Sequence, residues 1–246
     1  MMKRQQFRSL VLLISLLLLP VFFFYLSPVL ILEGASSGIV TGSALVFAFI
    51  FFFSLFCGRI WCGWICPFGS LQDKTTEIRD TRITNPWFDR FRYLFFVGWF
   101  GLLIGLFAQA GGILSVDPFY ETTGGLSVAG PLELIIYTAI ILLIVVVTVV
   151  VGRRGMCHLF CPISVIMIIG RRLRNIIGLP AFQLTADEPR CIRCGRCTRE
   201  CSQSLDVLRM VEEDKMEQQE CILCGVCVDS CPKKVIHLGF GRPPGE

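Results

Sequence analysis

Long apolar stretches alternate with short polar segments over the first two thirds of the chain. Four stretches are long enough to cross a hydrocarbon core of about 30 Å, which requires about 20 helical residues. They are Leu10 to Leu32, Gly38 to Phe56, Tyr93 to Ala110 and Leu132 to Val151. The pattern therefore predicts an all-α membrane bundle of four transmembrane helices.

The first stretch contains two prolines and follows a basic flank. Pro20 and Pro28 are compatible with a membrane helix, because neighbouring helices satisfy the backbone groups that proline frees. A secretory signal peptide is the alternative, since Lys3, Arg4 and Arg8 precede the stretch. The apolar run is longer than a normal signal core and no clear small-residue cleavage site follows, so we expect a retained span.

Composition and charge place the chain in a bilayer and orient it. Of the 246 residues, 54% are hydrophobic and 17% are charged, which is too apolar for an ordinary soluble domain. The 23 lysines and arginines fall before the first span, between the second and third, and after the fourth. The opposite loops, 33–37 and 111–131, contain none. Because basic residues are retained on the cytoplasmic side, we expect both termini to be cytoplasmic. The protein is expected to be a multi-pass protein of a prokaryotic inner membrane. No nucleic-acid partner is expected.

Thirteen cysteines lie in three groups, at positions 57–66, 157–161 and 191–231. With the predicted topology, all of them lie at or beyond cytoplasmic helix ends. Structural disulfides are rare in that reducing compartment. The cysteines are therefore candidate metal ligands.

The C-terminal cysteines form two runs with the spacing C-x2-C-x2-C-x3-C. In bacterial two-cluster ferredoxins the fourth cysteine of each such run ligates the cluster of the other run. The first set would be Cys191, Cys194, Cys197 and Cys231, and the second Cys221, Cys224, Cys227 and Cys201. A zinc module is the alternative, but structural zinc sites usually divide their ligands into separated pairs. We expect residues 181–246 to form a small cytoplasmic α+β ferredoxin domain with two [4Fe-4S] clusters, and residues 1–180 the membrane domain.

The membrane part contains a repeat of its own. After the second and the fourth span a Gly-Arg pair precedes a C-x3-C-P motif, Cys62 to Pro67 and Cys157 to Pro162. The bundle thus reads as two parallel two-helix repeats, which are usually related by an axis normal to the membrane. Such an axis would bring four thiolates together as a possible additional cluster site: Cys62, Cys66, Cys157 and Cys161.

Other roles remain open for the cysteines of the repeat. Reduced buried thiols or lipidation sites are the alternative for the four cysteines of the C-x3-C-P motifs. Cys57 has no counterpart in the second repeat. It is a packed thiol or an alternative ligand.

These motifs together resemble a known family over nearly the whole chain. The motifs on which the resemblance rests are Gly58-Arg59-x-x-Cys62-Gly63-Trp64-x-Cys66-Pro67-x-Gly69, the second C-x3-C-P motif and the two ferredoxin runs. The combination is similar to the NapH/MauN group of membrane polyferredoxins, and the related NosR and CcoG groups share the cysteine motifs. The resemblance implies a quinol dehydrogenase-like subunit that relays electrons between the quinone pool and other redox subunits, iron–sulfur or cytochrome proteins, of a respiratory complex.

Two alternatives accompany this interpretation. The likeness to CcoG also fits an assembly factor that reduces a metal such as copper for another enzyme. A redox regulator without net turnover is the third hypothesis. Nothing resembles the flavin-bearing domain of NosR, so no flavin is expected. Because His158 and His237 are the only histidines and neither lies in a span, no haem is expected in this chain.

A few further residues are candidates for smaller roles. Asp117 and Glu121 lie in an outer loop with aromatic neighbours, and the Asp-Pro pair also resembles the family. They are candidates for accepting protons from quinol, and the alternative is a turn-forming Asp-Pro in a polar loop. The segment Val165 to Ile169, followed by three arginines, is too short to span. It predicts an interfacial amphipathic segment on the anionic inner leaflet.

Overall fold

A computed structural model describes residues 2–85, 87–122, 126–128 and 130–242. Over these residues the chain is mostly helical, as predicted. Its α-helices are α1 (Met2–Leu17), α2 (Leu19–Phe22), α3 (Pro28–Ser36), α4 (Gly42–Cys57), α5 (Ile60–Trp64), α6 (Pro67–Thr75), α7 (Trp87–Gln109), α8 (Pro131–Val151), α9 (Gly155–Leu159), α10 (Pro162–Ile177), α11 (Arg196–Arg199), α12 (Val207–Glu212) and α13 (Val226–Ser230). Its strands are β1 (Ile39–Thr41), β2 (Ser115–Asp117), β3 (Ala181–Ala186) and β4 (Ile236–Gly241). Short 3-10 helices occupy Phe24–Leu26 and Glu188–Arg190.

The four predicted spans differ in helical length. Among the described residues, α7 and α8 are the two helices that are long and apolar enough to cross a membrane, and α4 is apolar but has only 16 residues. The first stretch is divided among α1, α2 and α3, because Pro20 and Pro28 each fall in the first turn of a new helix. The loop predicted at 111–131 lies partly outside the described residues.

The outer surfaces of α7 and α8 are apolar. Leu94 and Val97 on α7 are 70% and 67% exposed, and Leu132 and Ile135 on α8 are 65% and 66% exposed. Soluble monomers rarely expose contiguous apolar surface on this scale. Such a surface is stable in apolar surroundings, of which a lipid bilayer is one.

The two C-x3-C-P motifs have the same local structure. Each follows a long helix that ends at a glycine with positive φ, Gly58 after α4 and Gly152 after α8. A five-residue helix, α5 or α9, then carries the first cysteine as its third residue. The second cysteine is the extended N-cap of the next helix, and proline follows at its first position, where no backbone donor is needed: Cys66-Pro67 and Cys161-Pro162.

Helix α10 lies against α4. The contact is close at Gly170, where an added Cβ would be 3.1 Å from the carbonyl oxygen of Phe51. Two arginines of α10, Arg171 and Arg174, are only 1% exposed and bind groups in the C-terminal part of the chain. These two side chains thus contact protein groups, whereas lipid headgroups were expected.

The C-terminal part is built on an antiparallel pair of strands. Strand β3 pairs with β4 in a register that runs from Ala181 opposite Gly241 to Ala186 opposite Ile236. One apolar core joins these strands to the cysteine runs and α12. Contacts with the helices hold this part to the bundle; for example, Gln5 of α1 donates to the carbonyl of Cys224 at 3.1 Å.

Candidate metal centres

Four cysteines from both ends of the C-terminal segment line a first pocket: Cys191, Cys194, Cys197 and Cys231. The backbone before α11 makes this possible, because Arg193 and Gly195 both have positive φ and turn the chain sharply. The pocket lies near the surface, since Cys194 is exposed. These are the four residues of the first interleaved set.

A second pocket repeats the arrangement deeper in the protein. It is lined by the cysteines Cys201, Cys221, Cys224 and Cys227. Leu223 and Gly225 take the positive φ values that Arg193 and Gly195 take in the first run. Three of its four cysteines are buried, so this pocket is shielded from solvent where the first is not.

The donor sets suit a polynuclear cluster. In the part of the chain that the structure describes, no three His, Cys, Asp or Glu side chains converge closely enough to hold one metal ion. The cysteines of each C-terminal set line a pocket, and a cube of iron and sulfide needs such a space between its ligands. Burial raises the pKa of Cys201 to about 12, and the neighbouring Cys224 and Cys221 thiolates add to this effect. A cationic centre is therefore needed to keep these thiols ionised together.

The cysteines of the C-x3-C-P motifs also lie close to one another. Burial raises the pKa of Cys161 to about 12, and the charges of Cys157 and Cys62 contribute to this shift. The pKa of Cys66 is likewise raised by burial and then by the other three thiolates. The structure thus brings Cys62, Cys66, Cys157 and Cys161 into one group, drawn equally from the two repeats, in which Cys161 is partly buried and the other three are buried.

Two neighbours support this third cysteine group. The side chain of Gln72, which is fully buried, donates from Nε2 to the Cys157 sulfur at 3.3 Å and accepts the backbone N–H of Met156 at 3.0 Å. The thioether sulfur of Met167 lies 3.5 Å from the Cys62 sulfur. Hydrogen bonds to ligating sulfurs hold their orientation and tune the potential of a bound cluster.

Arginines bind the backbone carbonyls of the cysteines at all three places. Arg154 of the second repeat donates to Cys62 of the first at 2.7 Å, and Arg92 donates to Cys157 at 3.3 Å. Three further pairs are Arg171 with Cys221 at 2.8 Å, Arg153 with Cys201 at 2.9 Å and Arg199 with Cys194 at 3.1 Å. Positive charge beside a thiolate-ligated cluster offsets its negative charge.

Partly buried carboxylates neutralise the innermost arginines. Asp73 binds Arg154 through both oxygens at 2.7 and 2.8 Å and Arg8 at 2.5 Å. Glu220 is bound by Arg59 at 2.8 Å and by Arg92 at 2.5 Å. Burial opposes the ionisation of Glu220, but the two arginines outweigh it and lower its pKa to about 2. The network ties both repeats to the C-terminal part.

The first C-x3-C-P loop touches the second pocket directly. An added Cβ on Gly63 would fall 2.4 Å from the carbonyl oxygen of Ile222, so a side chain has no room there. The indole N–H of Trp64 donates to the carbonyl of Leu223 at 3.1 Å. Residues 222 and 223 line the second pocket. The third cysteine group is therefore next to the second pocket.

The remaining candidates lie apart from the three cysteine groups, with one exception. Asp117 is exposed and accepts the backbone N–H of Phe119 at 2.9 Å, the geometry of a turn, and Glu121 is exposed beside it. His237 is exposed as well. The exception is His158, which follows Cys157, is buried and lies 2.7 Å from Asp89 through Nδ1.

The sequence interpretation missed the arginine and glutamine contacts. Arg59 stands in the Gly-Arg pair before the first motif, and Arg154 directly follows the pair Gly152-Arg153 before the second, so the repeated arginines were the available signal. Gln72 carries no such signal. Cys57, at the end of α4, is partly buried and is the fifth cysteine of the membrane part.

Comparisons with known proteins identify iron–sulfur domains in both parts of the chain. A 4Fe-4S binding domain family matches twice, over residues 40–86 and 134–180, and a 4Fe-4S dicluster domain family matches residues 190–236. The prediction of 4Fe-4S-binding, ferredoxin-type domains is confirmed, and the number of clusters stays a prediction. The double match falls on the two C-x3-C-P repeats.

Two curated relatives are similar over part of their length. The chain is 26% identical over 184 residues to an uncharacterized protein of Methanocaldococcus jannaschii, covering 69% of this chain and 59% of that protein. It is 27% identical over 159 residues to the regulatory protein NosR of Pseudomonas aeruginosa, covering 60% of this chain and 21% of that protein. The chain thus spans less than two thirds of either relative. No solved structure matches it significantly.

Proposed function

We propose that this protein is a membrane-bound iron–sulfur subunit that relays electrons between the quinone pool and a redox partner. The 4Fe-4S domain matches and the similarity to NosR support an electron-transfer role. The observation that carries the relay is the contact at Gly63, which brings the cysteine group of the membrane part against the second pocket. Exchange of electrons with quinone and membership of a NapH-like complex are the further parts of this proposal.

The proposed ligands are the three cysteine groups. Cys191, Cys194, Cys197 and Cys231 would hold one [4Fe-4S] cluster, and Cys201, Cys221, Cys224 and Cys227 another. Cys62, Cys66, Cys157 and Cys161 would hold an additional iron–sulfur cluster. Each cluster would supply one-electron chemistry, which side chains cannot. The protein's own residues hold the sulfurs, balance their charge through buried arginines and exclude water.

The order of the centres follows from burial and contact. The group in the membrane part touches the second pocket, and the two C-terminal pockets share one small core. The first pocket has the exposed cysteine, Cys194. In the proposed relay, electrons enter beside the bilayer, pass through the buried second cluster and leave through the exposed first cluster.

The membrane arrangement proposed for this relay has four crossings. Helices α7 and α8 are each long enough to cross a bilayer without the help of flanking residues. Helix α4 is about 24 Å long at 1.5 Å per residue and would cross with its flanking residues. The broken segment from α1 to α3 would make the remaining crossing, and both termini would be cytoplasmic. Residues 1–180 and 181–246 would then form the membrane domain and the ferredoxin domain.

An anaerobic redox titration followed by electron paramagnetic resonance tests the relay. We expect cluster signals to appear rapidly when a short-chain quinol is added to the purified protein in lipid nanodiscs. Cluster potentials far below that of the quinone, with no reduction by quinol, would contradict the proposal. Rapid reoxidation of the clusters by tightly bound copper would instead support the alternative function, an assembly factor that reduces copper for another enzyme.

A redox regulator is the second candidate. The observation in its favour is the name of the second relative, a regulatory protein, although this chain spans only 21% of it. A regulator requires clusters that change state without sustained turnover. Steady-state quinol oxidation with an artificial acceptor separates the two functions, because the relay turns over continuously and a regulator does not.

A further inference from the structure

Four large apolar side chains are exposed where α10 joins the C-terminal strand pair. Phe182 on β3 and Phe240 on β4 lie opposite each other in the register, and their rings meet edge to face with centroids 5.6 Å apart. They are 41% and 59% exposed, and Ile176 and Ile177 in the last turn of α10 are 82% and 57% exposed. We call these four residues the boundary patch. Exposed apolar patches mark contacts with membranes or with other proteins.

The buried Arg174 holds the two halves of the boundary patch together. It lies in the last turn of α10. Its guanidinium donates to the carbonyl of Leu179, just after α10, at 2.9 Å, and to the carbonyl of Gly241, the neighbour of Phe240, at 3.2 Å. The end of the helix and the end of the strand pair therefore form one fixed surface.

The outward side of α10 is apolar along its second half. Ile169, Leu173 and Ile176 are spaced by four and three residues, which places them on one side of a helix, and all three are exposed. The buried Arg171 lies two residues after Ile169, which at 3.6 residues per turn is the opposite side. The helix thus turns an apolar stripe outward and this arginine inward, and the stripe ends in the boundary patch.

Two contacts place the boundary patch at the level where two apolar spans end. An added Cβ on Gly58, the residue after α4, would lie 3.9 Å from the carbonyl oxygen of Phe182. The guanidinium of Arg172 on α10 lies 5.8 Å from the ring centre of Tyr93, with which the third predicted apolar stretch begins. In the proposed membrane arrangement, both of these span ends are cytoplasmic.

The exposed surface of α4 leads to the same level. Phe52 and Phe56 are exposed, and Phe56 lies two residues before Gly58. Because α4 would cross the bilayer in the proposed arrangement, these rings would contact lipid. The boundary patch begins where this lipid-facing surface ends. This continuity favours lipid as its occupant over a second copy of the chain or another protein.

We propose that the boundary patch lies in the inner leaflet, between the headgroups and the acyl chains, and holds the C-terminal part against the membrane surface. The proposal rests on the membrane arrangement of the proposed function. Interfacial helices bury their apolar side in this layer. The exposed Arg172 flanks the stripe and would meet anionic headgroups. Leu184 of β3 lines the second pocket, so the strand that touches the leaflet also keeps that pocket near the bilayer.

Photocrosslinking of the full-length chain in the membranes of the cells that express it tests this contact. p-Benzoylphenylalanine replaces Phe240 or Ile176, and mass spectrometry identifies the products after irradiation. We expect adducts with the mass of membrane phospholipids at both positions. The matched control is Ile192, which is 56% exposed in the same part but lines the first pocket, and it should give at least about tenfold less lipid adduct. Val97 on α7 is the positive control.

A charge placed in the boundary patch gives a second measurement. Phe182→Glu puts a carboxylate at the boundary and should lower the lipid adducts formed from position 176 at least about threefold. Thr185→Glu adds the same charge at an exposed position of β3 outside the patch and should leave them unchanged. Cluster absorbance of each variant checks folding.

The outcomes separate the boundary patch from the membrane arrangement. Crosslinks from Phe240 and Ile176 to a second copy of the chain or to another protein would overturn the patch, as would equal lipid adducts at Ile192. An unchanged yield in Phe182→Glu would also overturn it. Lipid adducts at Val97 alone would overturn the patch and leave the membrane arrangement standing, whereas no lipid adducts even at Val97 would overturn both.

Discussion

The indole N–H of Trp64 donates a 3.1 Å hydrogen bond to the backbone carbonyl of Leu223. Trp64 lies between the two cysteines of the first C-x3-C-P motif, and Leu223 lies between two cysteines of the last run. A loop of the membrane part and a loop of the ferredoxin-type part are thus bonded to each other. This bond holds the first C-x3-C-P motif against the residues that line the second pocket, which is the contact on which the proposed relay depends.

Iron and acid-labile sulfide content tests the third cysteine group. With three [4Fe-4S] clusters we expect about twelve iron atoms and twelve sulfides per chain. Cys62→Ala should lower both to about eight, because the group loses one of its four thiolates. Cys57→Ala is the matched control and should keep the wild-type content. A wild-type content of about eight would exclude the third [4Fe-4S] cluster.

Gly63→Ala tests the contact between the membrane part and the second pocket. The new methyl group would fall 2.4 Å from the Ile222 carbonyl, so the two loops must separate. We expect the magnetic interaction between neighbouring reduced clusters to weaken in the paramagnetic resonance spectrum, and the melting temperature to fall.

The control for Gly63→Ala is Gly98→Ala. An added Cβ at Gly98 on α7 meets nothing within 4 Å. Alanine is favoured over glycine in helices by about 1 kcal/mol, so this variant should keep the spectrum and lose no stability. Equal spectra for both variants would mean that the Gly63 contact does not set the distance between clusters.

Gln72→Leu tests the hydrogen bond to the sulfur of Cys157. Leucine is close in size but removes the Nε2 donor, and hydrogen bonds to ligating sulfurs raise the reduction potential of a cluster. We expect one cluster potential to fall in a redox titration while the other potentials stay unchanged. Gln219→Leu removes an exposed contact with Arg172 and should shift none. An unchanged potential in Gln72→Leu would count against a cluster at Cys157.

Asp73→Asn tests the buried charge network. The change leaves Arg154, which is fully buried, without its counter-charge and should lower stability by about 3–5 kcal/mol. Asp80→Asn removes an exposed partner of Arg153 and should cost about 0–1 kcal/mol. Thermal unfolding in nanodiscs measures the stability of both variants. Equal losses would contradict the claim that the buried Arg154 depends on its counter-charge more than Arg153 does.

The same network predicts a pH dependence. Burial opposes the ionisation of Asp73, but Arg154 and Arg8 outweigh it, so the pKa of Asp73 lies below its usual value. A depressed pKa stabilises the folded state above the unfolded pKa of about 3.9, and the effect is lost as pH falls through the folded value. The melting-temperature difference between wild type and Asp73→Asn should be constant from pH 5 to about 7 and shrink below about pH 4. A difference that grows on acidification would contradict this assignment.

Local patterns were enough for the elements that depend on neighbouring residues. The apolar runs predicted helices at α4, α7 and α8, because helix length and apolarity are read directly from the chain. Pro67 and Pro162 occupy the first positions of α6 and α10, where the backbone donor that proline lacks is not needed. Cysteine spacing predicted 4Fe-4S domains, because the first three thiolates of a C-x2-C-x2-C-x3-C run are close enough to ligate one cluster and the fourth ligates the cluster of the other run.

Tertiary structure decided what depends on residues far apart in the chain. No spacing indicates that Arg154 binds the carbonyl of Cys62 or that Gly63 leaves no room beside Ile222. The first apolar stretch appeared continuous, yet Pro20 and Pro28 divide it into separate helices whose packing leaves an open apolar groove beside α4. The sequence by itself thus determined which residues offer thiolates and which segments are apolar. Only the packing of the two repeats against the C-terminal part decided which arginines and carboxylates surround the cysteines and that the third cysteine group lies beside the second pocket, because contact between distant segments is set by shape and buried charge and not by local pattern.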